Sequence, residues 1–375
     1  MSVHYSFVST YPPTQCGLAS FTASLRAALV QIDSGPAPVI RVVDAPQRSA
    51  PDGVVAELVA GDPPSHRAAA ELINLSDIAI VQHEYGIYGG EDGEEVLALL
   101  DAIRVPRVVV LHTVPTTPTW RQRWVLQAVL SRAEAIVLMT EAARDRLSAL
   151  YDVSVRKLVV IPHGAHDVGA MLTGSGGSGR PTVLTWGLLG PGKGIEWGIE
   201  AMSELTELNP TPRYIVAGQT HPKVLLHEGE AYRNRLLAQV SRLGLAGTVE
   251  FDGRYRSTAS LGRLIRSADV VLLPYDSPDQ ITSGVLTEAV AALLPVVATP
   301  FPHAVELLHG GAGQLVAHRD SAGIAAALRA VLTRRDVAAG MRRAAARTAP
   351  DLRWSTIARR YQELAAELLL PSLAR

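Results

Sequence analysis

A single cysteine, Cys16, is all the chain holds in 375 residues. That excludes an internal disulfide and fits a reducing compartment. Neither charge sign is in excess: the formal net charge is -1, so nothing draws the whole molecule to nucleic acid or an anionic membrane. No apolar run reaches the roughly 18 residues needed to span a bilayer, and AVAALLPVVA is broken by proline. The opening MSVHYSFVST lacks a basic start and a long apolar core, so it reads as a first strand and not as a targeting signal. Asp-x-Asp, a common metal-holding carboxylate pair, is absent. These absences predict a cytoplasmic protein without a transmembrane segment.

What is present is apolar surface in short pieces. With 47% hydrophobic residues over this length, the chain can bury two cores or one very large one. Apolar runs rich in β-branched residues alternate with Ala/Leu-rich helical stretches: DIAIVQHE, VPRVVVLHT, AEAIVLMT, KLVVIPHG, PTVLTWG, RYIVAGQ, GTVEFDGRY, ADVVLLPY and LPVVATP. Strands buried on both faces and separated by helices predict an α/β protein with doubly wound parallel sheets. The strands outnumber those of one comfortable sheet. TGSGGSGR, residues 173–180, reads as a flexible linker between two halves. The predicted domains are residues 1–172 and 181–353. From Trp354 onward, Ile357, Ala358, Tyr361, Leu364, Ala365 and Leu368 recur at helical spacing, so 354–375 reads as an amphipathic helix.

In open parallel sheets ligands sit at the carboxyl ends of strands, where loops lead into helix N-termini. Two such loops stand out. WGLLGPGKGIE, residues 186–196, nearly matches a phosphate-binding P-loop, but Gly194 follows Lys193 where a magnesium-binding hydroxyl is required. Glycines still permit close backbone approach to a phosphate, and Lys193 adds charge; the competing reading is a Gly/Pro turn with a solvated lysine. In PYDSPDQITSGVLTEAVAALLPVVATP, residues 274–300, Ser283, Gly284 and Val285 open a helix. Free N–H groups and the helix dipole favour an anion there. Glu288 lies one turn on, either to accept ribose or sugar hydroxyls or to serve as a dipole-stabilised carboxylate.

Together these stretches resemble the retaining GT-B glycosyltransferases of family 4. The resemblance rests on the Gly187–Gly194 turn ending in Lys-Gly and on GVLTEAVAALLPVVATP. TYPPTQCGLASFT (10–22), QHEYGIYGGEDG (82–93), LHTVPTTP (111–118) and VVIPHGAHDV extend it over nearly the whole chain. Within the family the chain is most similar to the mannosyltransferase-like branch. The resemblance implies two Rossmann-like domains facing across a cleft: an acceptor-side domain over 1–172, joined by the 354–375 helix, and a nucleotide-sugar-binding domain over 181–353. It implies hexose transfer with retention, without an essential metal or cofactor, from a nucleotide-diphosphate sugar, GDP-mannose favoured. The acceptor would be a glycan, a lipid-linked sugar or a small molecule.

The family's roles fall on Lys193, Ser283, Gly284 and Val285 for the diphosphate and on Glu288 for the ribose. Gln280 meets the donor sugar, Gly17 allows a close loop, and His112 sits as the catalytic histidine beside the sugar. In a retaining reaction the leaving phosphate oxygen can take the acceptor's proton, and no dedicated protein base is evident. Two departures are visible. Gln280 stands where the family's Glu-x7-Glu has its first carboxylate, and Leu188 and Gly190 stand where a turn arginine is common. Lys193 then carries more of the charge, or Arg254 or Arg256 compensates. Those departures keep open a catalytically silent, glycosyltransferase-like binding or scaffold protein; a nucleotide-sugar epimerase is the remaining alternative.

His83-Glu84 lacks a second zinc ligand at Ile87, so the pair reads as an acceptor contact. His163 and His166 read as interdomain hydrogen-bonding groups, and Cys16 as a small packed residue. TWRQRWVLQAVL, residues 119–130, reads as a half-buried surface helix, with contact to a lipid-linked acceptor or a membrane surface as the competing reading.

Overall fold

The computed structural model describes residues 3–48, 50–167, 179–277 and 279–370. The chain divides into two compact units, residues 1–164 with 354–375, and residues 165–353. The division falls after Gly164, ahead of the position expected from sequence. Residues 173–178 of the expected linker lie outside the described residues.

The first unit holds strands β1 (Tyr5–Ser9), β2 (Val39–Val43), β3 (Val54–Val59), β4 (Ile78–His83), β5 (Arg107–Leu111), β6 (Ala135–Leu138) and β7 (Leu158–Val160). They form one parallel sheet in the order β3-β2-β1-β4-β5-β6-β7. The winding reverses between β1 and β4, which opens a crevice at their carboxyl ends. β1, β4 and β6 are buried along their whole length, and β6 accordingly reads as an unbroken apolar run. β2 is also fully buried although Arg41 interrupts it; the guanidinium pairs with Glu57 on β3.

Helix Trp354–Leu369 returns to this unit. Its Trp354, Ile357, Ala358, Tyr361, Leu364 and Ala365 share a core with Phe21, Leu25 and Leu29 of helix Gly17–Asp33. Gln362 Nε2 donates to Asp33 Oδ1 at 2.6 Å. Gly164 allows the seat: a Cβ there would lie 2.3 Å from the Trp354 ring.

The second unit holds β8 (Thr182–Trp186), β9 (Arg213–Ala217), β10 (Val249–Asp252), β11 (Val270–Leu273), β12 (Val296–Ala298) and β13 (Gly313–Leu315). All are parallel, in the order β10-β9-β8-β11-β12-β13. Apolar clusters cover both faces of this sheet. Its winding reverses between β8 and β11, so the loops after these two strands stand at the switch point. They are the two loops that the sequence singles out.

Candidate functional site

The turn after β8 runs from Gly187 into helix Ile195–Ser203. Its glycines are dictated by what lies beneath. Gly194 has φ +62°, and a Cβ there would stand 1.8 Å from the Pro274 carbonyl oxygen; only glycine meets both demands without strain. Gly192 accepts a hydrogen bond from the Asp276 amide at 2.9 Å. The turn is thereby locked to the loop after β11. A Cβ on Gly187 would reach Val285 Cγ2 at 3.4 Å, so the turn also abuts the start of helix Gly284–Ala291.

Lys193 is held by an aromatic face. Its Nζ lies 4.3 Å from the centroid of the Tyr275 ring, which stacks on Phe301 at 5.1 Å. A cation over such a ring gains about 0.5–2 kcal/mol. Lys193 has no carboxylate partner among the described residues. Asp276, the acidic neighbour on the same loop, is engaged by Arg319 at 2.7 Å.

Helix Gly284–Ala291 is capped by Ser283, whose hydroxyl accepts from the Leu286 amide at 3.3 Å. The Ser283 amide in turn donates to His303 Nδ1 at 2.8 Å. The Thr287 amide returns to the Ser283 carbonyl. The amides of Gly284 and Val285 have no partner among the described residues. Unpaired N–H groups at the positive end of a helix dipole favour negative charge. Thr282 Oγ1 is also buried without a partner among the described residues.

Glu288 sits behind this helix start. Burial pushes its carboxyl up from 4.5 to about 7, while the Trp186 indole, donating to Oε2 at 3.1 Å, pulls the other way. The carboxylate therefore changes charge near neutral pH. Gln280 donates its amide to the Thr282 carbonyl within its own loop. Arg254 and Arg256 both pair with Asp252 at the end of β10, and together they hold its carboxyl well below the usual range. Two guanidiniums on one carboxylate leave a net positive corner, but neither arginine is unpaired.

In the first unit the strand-end residues divide. His112 follows β5; its amide donates to the His83 carbonyl at 3.2 Å, and its ring meets the edge of Phe21 at 5.0 Å. Burial, with His163 and His83 nearby, lowers its pKa to about 3, so the imidazole is neutral. Gly17 opens helix Gly17–Asp33 with open space where a Cβ would stand. Cys16 is the cap of that helix, accepting from the Ala19 amide at 3.4 Å, and not merely a packed residue.

His83 needs correction as an acceptor contact: it is only 1% exposed, and burial alone lowers its pKa to about 4. Glu84 remains half-buried and accepts from the Thr113 hydroxyl and the Tyr85 amide. His163 Nδ1 lies 2.6 Å from the Gly164 carbonyl oxygen. Helix Trp120–Arg132 buries Val125, Leu126, Val129 and Leu130 and leaves Trp120 74% exposed, as a surface helix does. Among the described residues no group of three or more His, Cys, Asp or Glu is placed to hold a metal ion. No helix among them is long and apolar enough to cross a membrane.

Three residues of these sites escaped the sequence reading: Trp186, His303 and Gln82, whose side chain lies 2.7 Å from His112. Trp186 ends a strand and reads as apolar filling; His303 and Gln82 carry no motif. Only their partners reveal them.

A family model described as "Glycosyl transferases group 1" matches residues 180–334. D-inositol 3-phosphate glycosyltransferase of Segniliparus rotundus is 28% identical over 218 residues, 53% of this chain and 46% of that protein. Glycogen synthase of Mycobacterium tuberculosis is 27% identical over 279 residues, 70% of this chain and 63% of that protein. The matches thus span less than two thirds of these curated relatives' own length. Among solved structures, Anabaena Alr3699/HepE in complex with UDP-glucose aligns with TM-score 0.75 at 19% identity, covering 97% of this chain and 100% of that one. Sucrose-phosphate synthase from Thermosynechococcus elongatus aligns with TM-score 0.77 at 17% identity, covering 98% and 99%. Residues 180–334, most of the second unit, are thus similar to glycosyl transferases group 1, and the chain, with its two parallel-sheet α/β units, has the GT-B fold.

Proposed function

We propose that this protein is a glycosyltransferase that takes a hexose from a nucleoside-diphosphate sugar. The observation that carries the reading is local. Two unpartnered amides, Gly284 and Val285, open a helix beside a lysine that has no carboxylate partner among the described residues. An anion there meets N–H dipoles already aimed at it, at no cost of reorganisation. In this reading the diphosphate lies on those amides and Lys193. Glu288 accepts the ribose hydroxyls, and Gln280 meets the sugar. Gly17 lets its loop approach the donor, and His112 contacts the sugar.

The chemistry follows from charge. Breaking the bond between sugar and diphosphate leaves negative charge on the leaving phosphate, and the amides with Lys193 stabilise it. We read the reaction as retaining, with the leaving phosphate oxygen taking the acceptor's proton, and as independent of a metal. We favour GDP-mannose as donor, on the Cys-Gly-Leu-Ala-Ser-Phe-Thr and His-Glu-Tyr-Gly-Ile-Tyr-Gly-Gly stretches. UDP-glucose, bound in a solved neighbour, is the competing donor. The acceptor is read as a glycan, a lipid-linked sugar or a small molecule, and the compartment as cytoplasmic.

Incubation of the purified chain with radiolabelled GDP-mannose and UDP-glucose, over a panel of sugar and lipid-linked acceptors, tests the reading. Label transferred to an acceptor, or donor hydrolysed to free sugar, supports it. Nucleotide binding without either would favour a silent binding protein, the second reading that Gln280 supports by spending its amide N–H on Thr282. Interconversion of the free nucleotide sugar would identify an epimerase.

A further inference from the structure

Gln82 closes the penultimate position of β4 and is fully buried. Its main-chain carbonyl accepts from the Tyr88 hydroxyl at 2.6 Å, which fixes the strand end. Its side chain spans to β5's end, where Oε1 lies 2.7 Å from His112 Nε2. The amide nitrogen of the same side chain is buried with no hydrogen-bond partner among the described residues. A buried, half-satisfied amide is costly, and an apolar side chain of equal size would avoid that cost. Packing therefore does not account for a glutamine here; its bond to the imidazole does.

A carbonyl oxygen can only accept, so the proton of this bond belongs to His112 Nε2. A neutral imidazole carries one N–H, which leaves Nδ1 with a lone pair. No group among the described residues donates to that nitrogen. The ring cannot turn freely either, because Phe21 meets it edge-on at 86°.

We propose that Gln82 is a positioning residue that holds His112 as the Nε2–H tautomer, so that Nδ1 accepts a hydrogen bond from a hydroxyl of the bound sugar. This rests on the reading of the chain as a nucleotide-sugar enzyme only for the ligand; the tautomer stands on the protein alone. The consequence is selective. A lone pair on Nδ1 repels a phosphate oxygen and attracts an O–H, so this nitrogen selects a hydroxyl over a phosphate.

The test is nitrogen NMR on the full chain labelled with 15N at its histidines, His112 being identified by the signals lost in His112→Phe. Wild type should show Nε2 protonated and Nδ1 bare. Gln82→Met, which keeps the volume and removes the acceptor, should give a mixture of tautomers and lower turnover roughly ten-fold. Gln82→Glu sets a carboxylate against Nε2–H, draws a second proton to Nδ1 and removes the acceptor differently. Its turnover should fall at neutral pH and recover as pH rises, a profile that lost packing would not produce. A wild-type Nδ1–H tautomer overturns the proposal whatever the activity, as does a Gln82→Met variant with wild-type spectra and turnover. The expected tautomer in a protein that transfers no sugar would instead overturn the functional reading and the hydroxyl contact with it.

Discussion

Trp186 and Glu288, 102 positions apart, are joined by one hydrogen bond: the indole Nε1–H donates to Oε2 at 3.1 Å. The bond ties the end of β8 to helix Gly284–Ala291, and so joins the two loops of the switch point. It also holds a carboxylate whose charge is disfavoured by burial.

That carboxylate makes stability depend on pH. Its pKa is raised from 4.5 to about 7 in the folded chain, so the folded state keeps a proton that the unfolded state loses first. Stability present below about pH 4.5 should fall as pH rises and level off above about 7. Urea unfolding across this window should show wild type losing stability relative to Glu288→Gln. Parallel curves would mean that Glu288 is not buried enough to feel the shift.

Nucleotide affinity should report the same ionisation with opposite sign. A charged Glu288 accepts ribose hydroxyls better than a neutral one, so wild-type affinity should rise through neutral pH. Glu288→Gln should weaken a nucleoside diphosphate by about 1 kcal/mol or more and remove the pH dependence. Equal affinities in both proteins would return Glu288 to a structural carboxylate.

Lys193→Ala deletes the charge over Tyr275. The loss should be about 1.5–3 kcal/mol of diphosphate binding, roughly ten- to hundred-fold, typical of a hydrogen bond to a charged group. Folding should lose only the cation–π contact, about 0.5–2 kcal/mol. Calorimetry and a thermal melt on the same variant separate the two effects.

Gly194→Ala tests the turn itself. The added methyl meets the Pro274 carbonyl at 1.8 Å in a backbone of positive φ, so the loop must move. The cost should be about 2 kcal/mol or more of stability, with diphosphate binding lost in step because Lys193 shifts with it. An unfolding midpoint equal to wild type would show that the turn relaxes freely.

Much of this was legible in the sequence. The nine quoted strands are all present, because each carries a short β-branched apolar stretch that the sheet buries at least in part. β2 was harder to see because Arg41 interrupts it, β3 because its pattern is half-exposed, and β13 because Gly-Gln-Leu has no apolar signature. The turn at 187–194 and the cap at Ser283 were legible because glycine and capping chemistry act within a few residues. Trp186–Glu288, Ser283–His303 and Gln82–His112 were not: their partners are 102, 20 and 30 positions apart, and only the sheet order brings them together. The burial of His83 is likewise a property of packing and not of its motif.

In the proposed function the helix start at Gly284 and the Lys193 turn hold one diphosphate together. Isothermal titration of the intact chain with GDP, UDP, guanosine and uridine tests it most directly. One diphosphate should bind per chain, at least a hundred-fold tighter than its own nucleoside, and Lys193→Ala should close most of that gap. A nucleoside that binds as tightly as its diphosphate, or no diphosphate binding at millimolar concentration, would contradict the account.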